Sequence, residues 1–317
     1  MNFRIMDYDF PNEHEKKCML RMLRKKNYLI FLLTKISYMF PKLNDAFSLL
    51  FFELRRLKLL KLNFFRHTPD IIPNFMVIGF PKAGTTSIHE YLSQHPQISG
   101  SWIKETHYFS YGYEKSKSFY NKNFHKIKNS TLYFESSPEY IYYTDALERI
   151  KKINPKIKFI VCLRNPVSLI FSNYNQELEM GLETEPIENV LLKENYKSEL
   201  HKKRLEKKIY SISKRPLFLP YLYITEYVTY IKNAFKIFPK EQFLFINSTD
   251  LENNTQKIVD QVFEFLGLPH HNIVIKFHNK GNYKKEFSSQ TSEKLSLYFK
   301  PFNDELERLL NRKFDWT

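Results

Sequence analysis

Three short stretches of this sequence carry side chains that could do chemistry together. The first is Gly79-Phe80-Pro81-Lys82-Ala83-Gly84-Thr85-Thr86-Ser87, directly after the apolar run Phe75-Met76-Val77-Ile78. Two of the chain's 7 glycines lie in it. A buried strand feeding a tight turn that opens a helix places bare backbone N–H groups around a phosphate. Gly79 and Gly84 form the GxxxxG half of a P-loop, but a Walker A motif continues with Lys-Ser/Thr. Here Thr85-Thr86 follow, and the lysine is displaced to Lys82, inside the loop. The lysine and the hydroxyls still meet a phosphate, whereas the arrangement that holds a triphosphate with magnesium is missing. The loop therefore suits a 5′-phosphate better than ATP. An ordinary strand–helix turn is the plain alternative.

The second stretch is Leu163-Arg164-Asn165-Pro166, closing the apolar run from Lys158, with Ser172 eight residues beyond the arginine. Arginine at a strand end is a fixed charged fork for phosphate. A serine two turns along the following helix reaches the same group. Alone, Arg164 reads equally well as a surface ion-pair residue. The third is Lys104-Glu105-Thr106-His107-Tyr108-Phe109. A carboxylate beside apolar and aromatic neighbours suits a general base. Glu105 is the first candidate and His107 the second; simple pairing of Glu105 with Lys104 or Arg164 is the structural alternative.

Taken together, the loop, Arg164 and Ser172 resemble the sulfotransferase family that uses 3′-phosphoadenosine 5′-phosphosulfate (PAPS). The resemblance runs from about Asn74 to Trp316. It implies that Lys82, Ala83, Gly84, Thr85, Thr86 and Ser87 hold the 5′-phosphosulfate, and that Arg164 and Ser172 hold the 3′-phosphate. Glu135-Ser136-Ser137-Pro138-Glu139-Tyr140 is similar to the family's Glu-x-Ser-Pro-x-Tyr segment, which implies acceptor binding by Glu135, Ser137 and Tyr140. Lys280, Gly281, Asn282 and Tyr283 are similar to a loop that closes over the cofactor. Glycosaminoglycan-type members often carry Lys-Gly-Arg there, and this chain has Asn282 after Gly281. The implied reaction moves a sulfuryl group to a hydroxyl, less readily an amine, of a carbohydrate or small molecule by in-line attack. Glu105 is then the base, Lys82 steadies the leaving phosphate, adenosine 3′,5′-bisphosphate is the product, and no metal is required.

These side chains need a frame. Apolar strand-like runs at Phe75–Ile78, Thr131–Glu135, Lys158–Leu163 and Gln242–Ile246 alternate with helical stretches. That pattern predicts an α/β fold with a P-loop-like central parallel sheet, helices on both faces, and ligands at the strand C-terminal ends. Gly79, Glu135 and Arg164 all fall there. Helices are expected from Thr85 to near His95-Pro96, over Ala146–Ile153, from Pro166, over Tyr221–Phe238, after a Thr249-Asp250 cap to Gly267, and up to Leu310. Residues 177–217, lysine-rich and weakly periodic, read as a mobile or substrate-facing insertion. Residues 1–68 read as a helical, basic N-terminal extension, and 69–317 as the sulfotransferase domain.

The net charge of +15 favours anionic partners, though a bias toward Lys, Asn, Ile and Phe is a bland source of the surplus. Cys18 and Cys162 lie far apart and form no disulfide framework. The apolar run Leu29–Leu33 is interrupted by Lys35, short of the ~20 residues of a spanning helix. The basic segment before it is a candidate for peripheral membrane contact. A cytoplasmic location is the expectation, and nucleic acid is not an expected partner. Two other classes compete: a P-loop kinase or NTPase, and a non-catalytic basic membrane-associated protein. Glu177, Glu179, Glu183 and Glu185 could face a cationic acceptor or be a solvated charged loop.

Overall fold

The structure, a computed structural model, describes residues 70–110, 112–113, 116–124, 132–180, 183–206, 220–275 and 287–316. The expected N-terminal extension, its membrane contact, and Lys280 to Tyr283 lie outside the described residues. No helix among the described residues is long and apolar enough to cross a membrane.

Five strands form one sheet in the order β2-β3-β1-β4-β5: β1 Phe75–Gly79, β2 Ile98–Gly100, β3 Leu132–Ser136, β4 Lys158–Leu163 and β5 Phe243–Asn247. Every neighbouring pair is parallel. The central strand β1 is buried along its whole length, as a strand covered on both faces must be. Aromatic stacking pins the register, with Phe75 on Phe134 at 4.7 Å and Phe159 on Phe243 at 4.9 Å between ring centres. Helix α1 (Thr85–Leu92) packs on β1, β2 and β3, with α9 (Thr255–Leu266) beside it and against β5. A 3₁₀ turn over Pro138–Tyr142, α3 (Thr144–Ile153) and α7 (Tyr227–Ile237) form a second packed group against β1. The short α2 spans Lys117–Asn121.

The chain passes from β1 outward to β2 and β3, then crosses to β4 and β5. The crevice of such a sheet opens at the C-terminal end of the strand where the direction reverses, here β1.

Several boundaries differ from expectation. Helix α1 stops at Leu92, and His95 is instead buried against Phe263. Residues 177–206 are largely helical: α4 runs Pro166–Met180, α5 Ile187–Leu192 and α6 Glu194–Glu206. Their few apolar side chains, Ile187 and Val190, join Ile170, Tyr174, Leu295 and Phe299 in a second small core. The expected helix at Tyr221 begins as a 3₁₀ turn, Tyr223–Thr225, before α7. Thr249-Asp250 does not cap α9. The chain first makes α8 (Ser248–Asn253), and Asp250 takes Arg312 at 2.8 Å. Helix α9 ends at Gly267 with φ +78°, and α10 covers Ser289–Leu310.

Candidate active site

The phosphate-type loop grows out of β1. Gly79 has φ +127°, and a Cβ there would lie 2.9 Å from the Cys162 carbonyl oxygen, so only glycine fits. The next side chain, Phe80, turns into the core against the rings of Tyr227 at 4.1 Å and Tyr142 at 5.8 Å. Lys82 is left-handed with φ 71°, the Ala83 N–H donates to the Phe80 carbonyl at 3.1 Å, and Gly84 follows with φ 93°. Gly84 offers no side-chain cap to α1. The orphan N–H groups of that helix's first turn belong to Thr85, Thr86 and Ser87, the donors an anion would use.

Arg164 stands just past β4 and reaches back to this loop. Its Nη1 donates to the Lys82 carbonyl at 3.1 Å. Its own carbonyl accepts from the Tyr227 hydroxyl at 2.8 Å. The ring that carries this hydroxyl also packs on Phe80, so one residue braces both the loop and the arginine. Ser172 lies on α4 and is fully enclosed. The glycine-shaped loop, the open first turn and the half-buried Arg164 fit a nucleotide with separate phosphates. Ser172 joins them only through a change in its enclosure.

The segment Lys104–Ser110 lies along the same edge. The Glu105 N–H donates to the Ser136 carbonyl at 2.8 Å, just beyond β3. Thr106 points inward and its hydroxyl donates to the Glu135 carboxylate, with the Tyr140 hydroxyl at 3.2 Å. The His107 N–H donates to Ser137 Oγ at 3.3 Å and the Phe109 N–H to the Tyr140 hydroxyl at 3.2 Å. From α3, Arg149 donates to the Phe109 carbonyl at 2.7 Å. With Thr106 tied down, Glu105 and His107 are both forced left-handed, at φ 64° and 53°. Such φ values cost about 1–2 kcal/mol per residue and collect at functional sites. Among the described residues four non-glycines have positive φ: Lys82, Glu105, His107 and the helix-ending Asn311. The first three are the groups assigned chemistry from sequence.

Glu105 is the exposed member of its cluster, at 43%. Lys104 Nζ donates to its Oε1, and His107 Nε2 lies 3.9 Å from its Oε2. Glu105 is thus paired with Lys104 and not with Arg164. The far side of the His107 ring, Nδ1, faces Glu139 Oε1 at 2.5 Å.

Glu135, Ser137 and Tyr140, expected to bind the acceptor, are all fully buried. They act inward as the clamp beneath Thr106–Phe109. Ser137 Oγ donates to Glu135 Oε2 at 3.0 Å, and the Tyr140 hydroxyl lies 3.3 Å from Oε1. Burial pushes the Glu135 carboxyl up to about 7, against hydrogen bonds from Thr106 and Ser137 that pull it down. His89, on α1, meets Ser136 Oγ at 2.7 Å. Burial, with the nearby Lys104 charge, takes His89 down to about 4, so it is neutral at pH 7. The acidic run is divided: Glu177 accepts from the Tyr221 hydroxyl and buried Glu183 takes the Thr184 N–H at 2.7 Å, whereas Glu179 is exposed and Glu185 pairs with Lys193 at the surface at 2.7 Å. Sequence reasoning missed Tyr227 and the Glu139–His107 contact. The first had no local signal. For the second, the adjacency of Glu139 to the Ser-Pro segment was a usable one.

The sequence profile of the sulfotransferase domain matches residues 73–312. The chain belongs to the sulfotransferase family. It is 25% identical over 277 residues to mouse heparan sulfate glucosamine 3-O-sulfotransferase 5, covering 79% of this chain and 76% of that one. It is 35% identical over 111 residues to the membrane-associated sulfotransferase kil1 of Dictyostelium discoideum, 34% of this chain and 24% of the relative. A solved sulfotransferase from Alicyclobacillus acidocaldarius, 25% identical, superposes with a TM-score of 0.63 over 76% of this chain and 97% of its own. This sulfotransferase is thus an enzyme of its family's class, built on the parallel sheet expected from sequence. The kinase reading lacks its lysine, because Thr85 stands after Gly84.

Proposed function

We propose that this sulfotransferase transfers the sulfuryl group of PAPS to a hydroxyl of a carbohydrate acceptor. The carrying observation is the left-handed Lys82 loop clipped by Arg164, which couples a 5′-phosphate cradle to a second cationic site. The donor brings an activated sulfuryl group on a good leaving phosphate; the chain supplies binding, orientation and proton transfer. Lys82 and the first-turn N–H groups of Thr85 to Ser87 hold the 5′ end and stabilise charge that builds on the leaving phosphate. Arg164 holds the 3′-phosphate. Glu105, at the exposed mouth and paired with Lys104, takes the acceptor's hydroxyl proton as the oxygen attacks sulfur. The inward use of Glu177 and Glu183, and the pairing of Glu185 with Lys193, disfavour a cationic acceptor. The overall charge of +15 and the heparan sulfate sulfotransferases among its relatives favour a carbohydrate.

Thermal unfolding tests the donor assignment. Adenosine 3′,5′-bisphosphate at 100 times its Kd stabilises by about 2.7 kcal/mol and raises Tm, while ATP with magnesium does not. Stabilisation by ATP alone overturns the proposal. Incubation with labelled PAPS and a panel of desulfated heparosan oligosaccharides and small phenols, read by mass spectrometry, then identifies the acceptor class.

A further inference from the structure

The contact between His107 and Glu139 is a close feature of the site that the proposed reaction leaves unused. His107 Nδ1 and Glu139 Oε1 are 2.5 Å apart. Glu139 is nearly buried, and its Oε1 also accepts from Ser110 Oγ at 3.1 Å. The Ser110 hydroxyl lies 3.3 Å from the His107 carbonyl, and its own carbonyl is held by Arg149 at 3.3 Å. The carboxylate is therefore fixed from two elements, the 3₁₀ turn and the anchored end of the Lys104–Ser110 segment. A carboxylate at Nδ1 requires that nitrogen to carry the proton. The other nitrogen, Nε2, then faces Glu105 Oε2 at 3.9 Å.

We propose that Glu139 is a positioning residue that fixes the tautomer of His107, so that Nε2 receives from Glu105 the proton taken from the acceptor. The proposal rests on Glu105 being the base. The balance is closed. The acceptor O–H bond breaks as its oxygen bonds to sulfur and the proton goes to Glu105. It then passes to His107 Nε2, restoring the Glu105 carboxylate and leaving an imidazolium against ionised Glu139. His107 releases the proton to solvent, to which its side chain is 19% exposed. Glu139 itself takes no proton. The charged and titratable groups around His107 are Glu105 and Lys104 on its own segment, Glu139 on the 3₁₀ turn, buried Glu135 on β3 below Thr106, and Arg149 on α3 behind Ser110. Glu105 and Glu139 both reach the ring within 4 Å. A carboxylate placed against one ring nitrogen favours the imidazolium form.

Long-range ¹H–¹⁵N NMR of the full chain tests this, with the His107 signals assigned by their loss in H107Q. Neutral His107 in the native protein is expected as the Nδ1–H tautomer. Its titration midpoint should fall by one pH unit or more in Glu139→Gln and recover partly in Glu139→Asp. With PAPS and a desulfated heparosan oligosaccharide, Glu139→Gln should lower kcat at least tenfold, with the KM for PAPS within twofold. The acid limb of the kcat profile should move down by a comparable interval. An unchanged tautomer and midpoint in a folded Glu139→Gln protein overturns the proposal, as does a fall in Tm with no movement of the profile. Full turnover in Glu105→Gln would sink the assignment of the base instead, and the NMR result for His107 tells the two failures apart.

Discussion

Glu135 is buried on β3 beneath Thr106, whereas the side chain of Glu105, one residue before that threonine, is partly exposed. Glu105 lies at the mouth with Lys104 on one oxygen. Its replacement by glutamine keeps shape and hydrogen bonding but removes the proposed base. Steady-state kinetics should show kcat lowered by about 10²–10⁴, while calorimetry finds the affinity for adenosine 3′,5′-bisphosphate within twofold. Glu135 is buried, and its pKa of about 7 lies above its unfolded value near 4.5. The folded chain therefore holds more protons than the unfolded chain between those two values. Its contribution to stability is fully present below pH 4.5 and is lost as pH rises through about 7, a change of about 3 kcal/mol. Urea unfolding at a series of pH values should show that decline in the native protein and a flatter curve in Glu135→Gln. The Glu-x-Ser-Pro-x-Tyr spacing was legible as a unit. The fold turns Glu135, Ser137 and Tyr140 inward, which the spacing does not reveal: a motif gives adjacency, whereas the face a side chain takes depends on strand register.

At the scale of elements, β1, β3, β4 and β5 were all readable as apolar strand-like runs, and of these β1 is buried along its whole length. β1, β4 and β5 are continuous apolar runs bounded by turn residues. β2, three residues long, offers no pattern to find and forms only because β3 accepts it as an edge neighbour. Helices α5 and α6 were hidden for a different reason. α6 has almost no apolar stripe, and buried Glu194 steadies its start by accepting from the Leu222 N–H at 3.0 Å. The glycine positions separate local from global demands. Gly79→Ala forces a left-handed alanine into the Cys162 backbone and should cost roughly 3 kcal/mol. Gly267→Ala pays only for φ +78°, with nothing within 4 Å, and should cost about 1 kcal/mol. Chemical denaturation distinguishes the two, and Gly79→Ala alone should also lose stabilisation by the bisphosphate.

Across the whole molecule, the C-terminal tail ties the far end of the chain to the site. Trp316 packs edge-on against Tyr227 at 5.9 Å and stacks on Phe314 at 4.2 Å, and Arg312 donates to the Phe245 carbonyl at 2.8 Å. Because Tyr227 also holds the Arg164 carbonyl, damage to the tail reaches Arg164 and the proposed phosphate site. Trp316→Ala should cost about 3–5 kcal/mol and weaken bisphosphate binding, as calorimetry would record. The left-handed backbone at Lys82, Glu105 and His107 has a consequence for how such an enzyme drifts. At an ordinary position alanine is more stable than glycine, because glycine gains freedom in the unfolded chain. At these three the order should reverse, with the glycine variant more stable than the alanine variant by about 1 kcal/mol, readable as paired melting curves. A lineage selected for heat tolerance alone would slide toward glycine there and fall silent. Lys82, Glu105 and His107 persist only where turnover is also under selection.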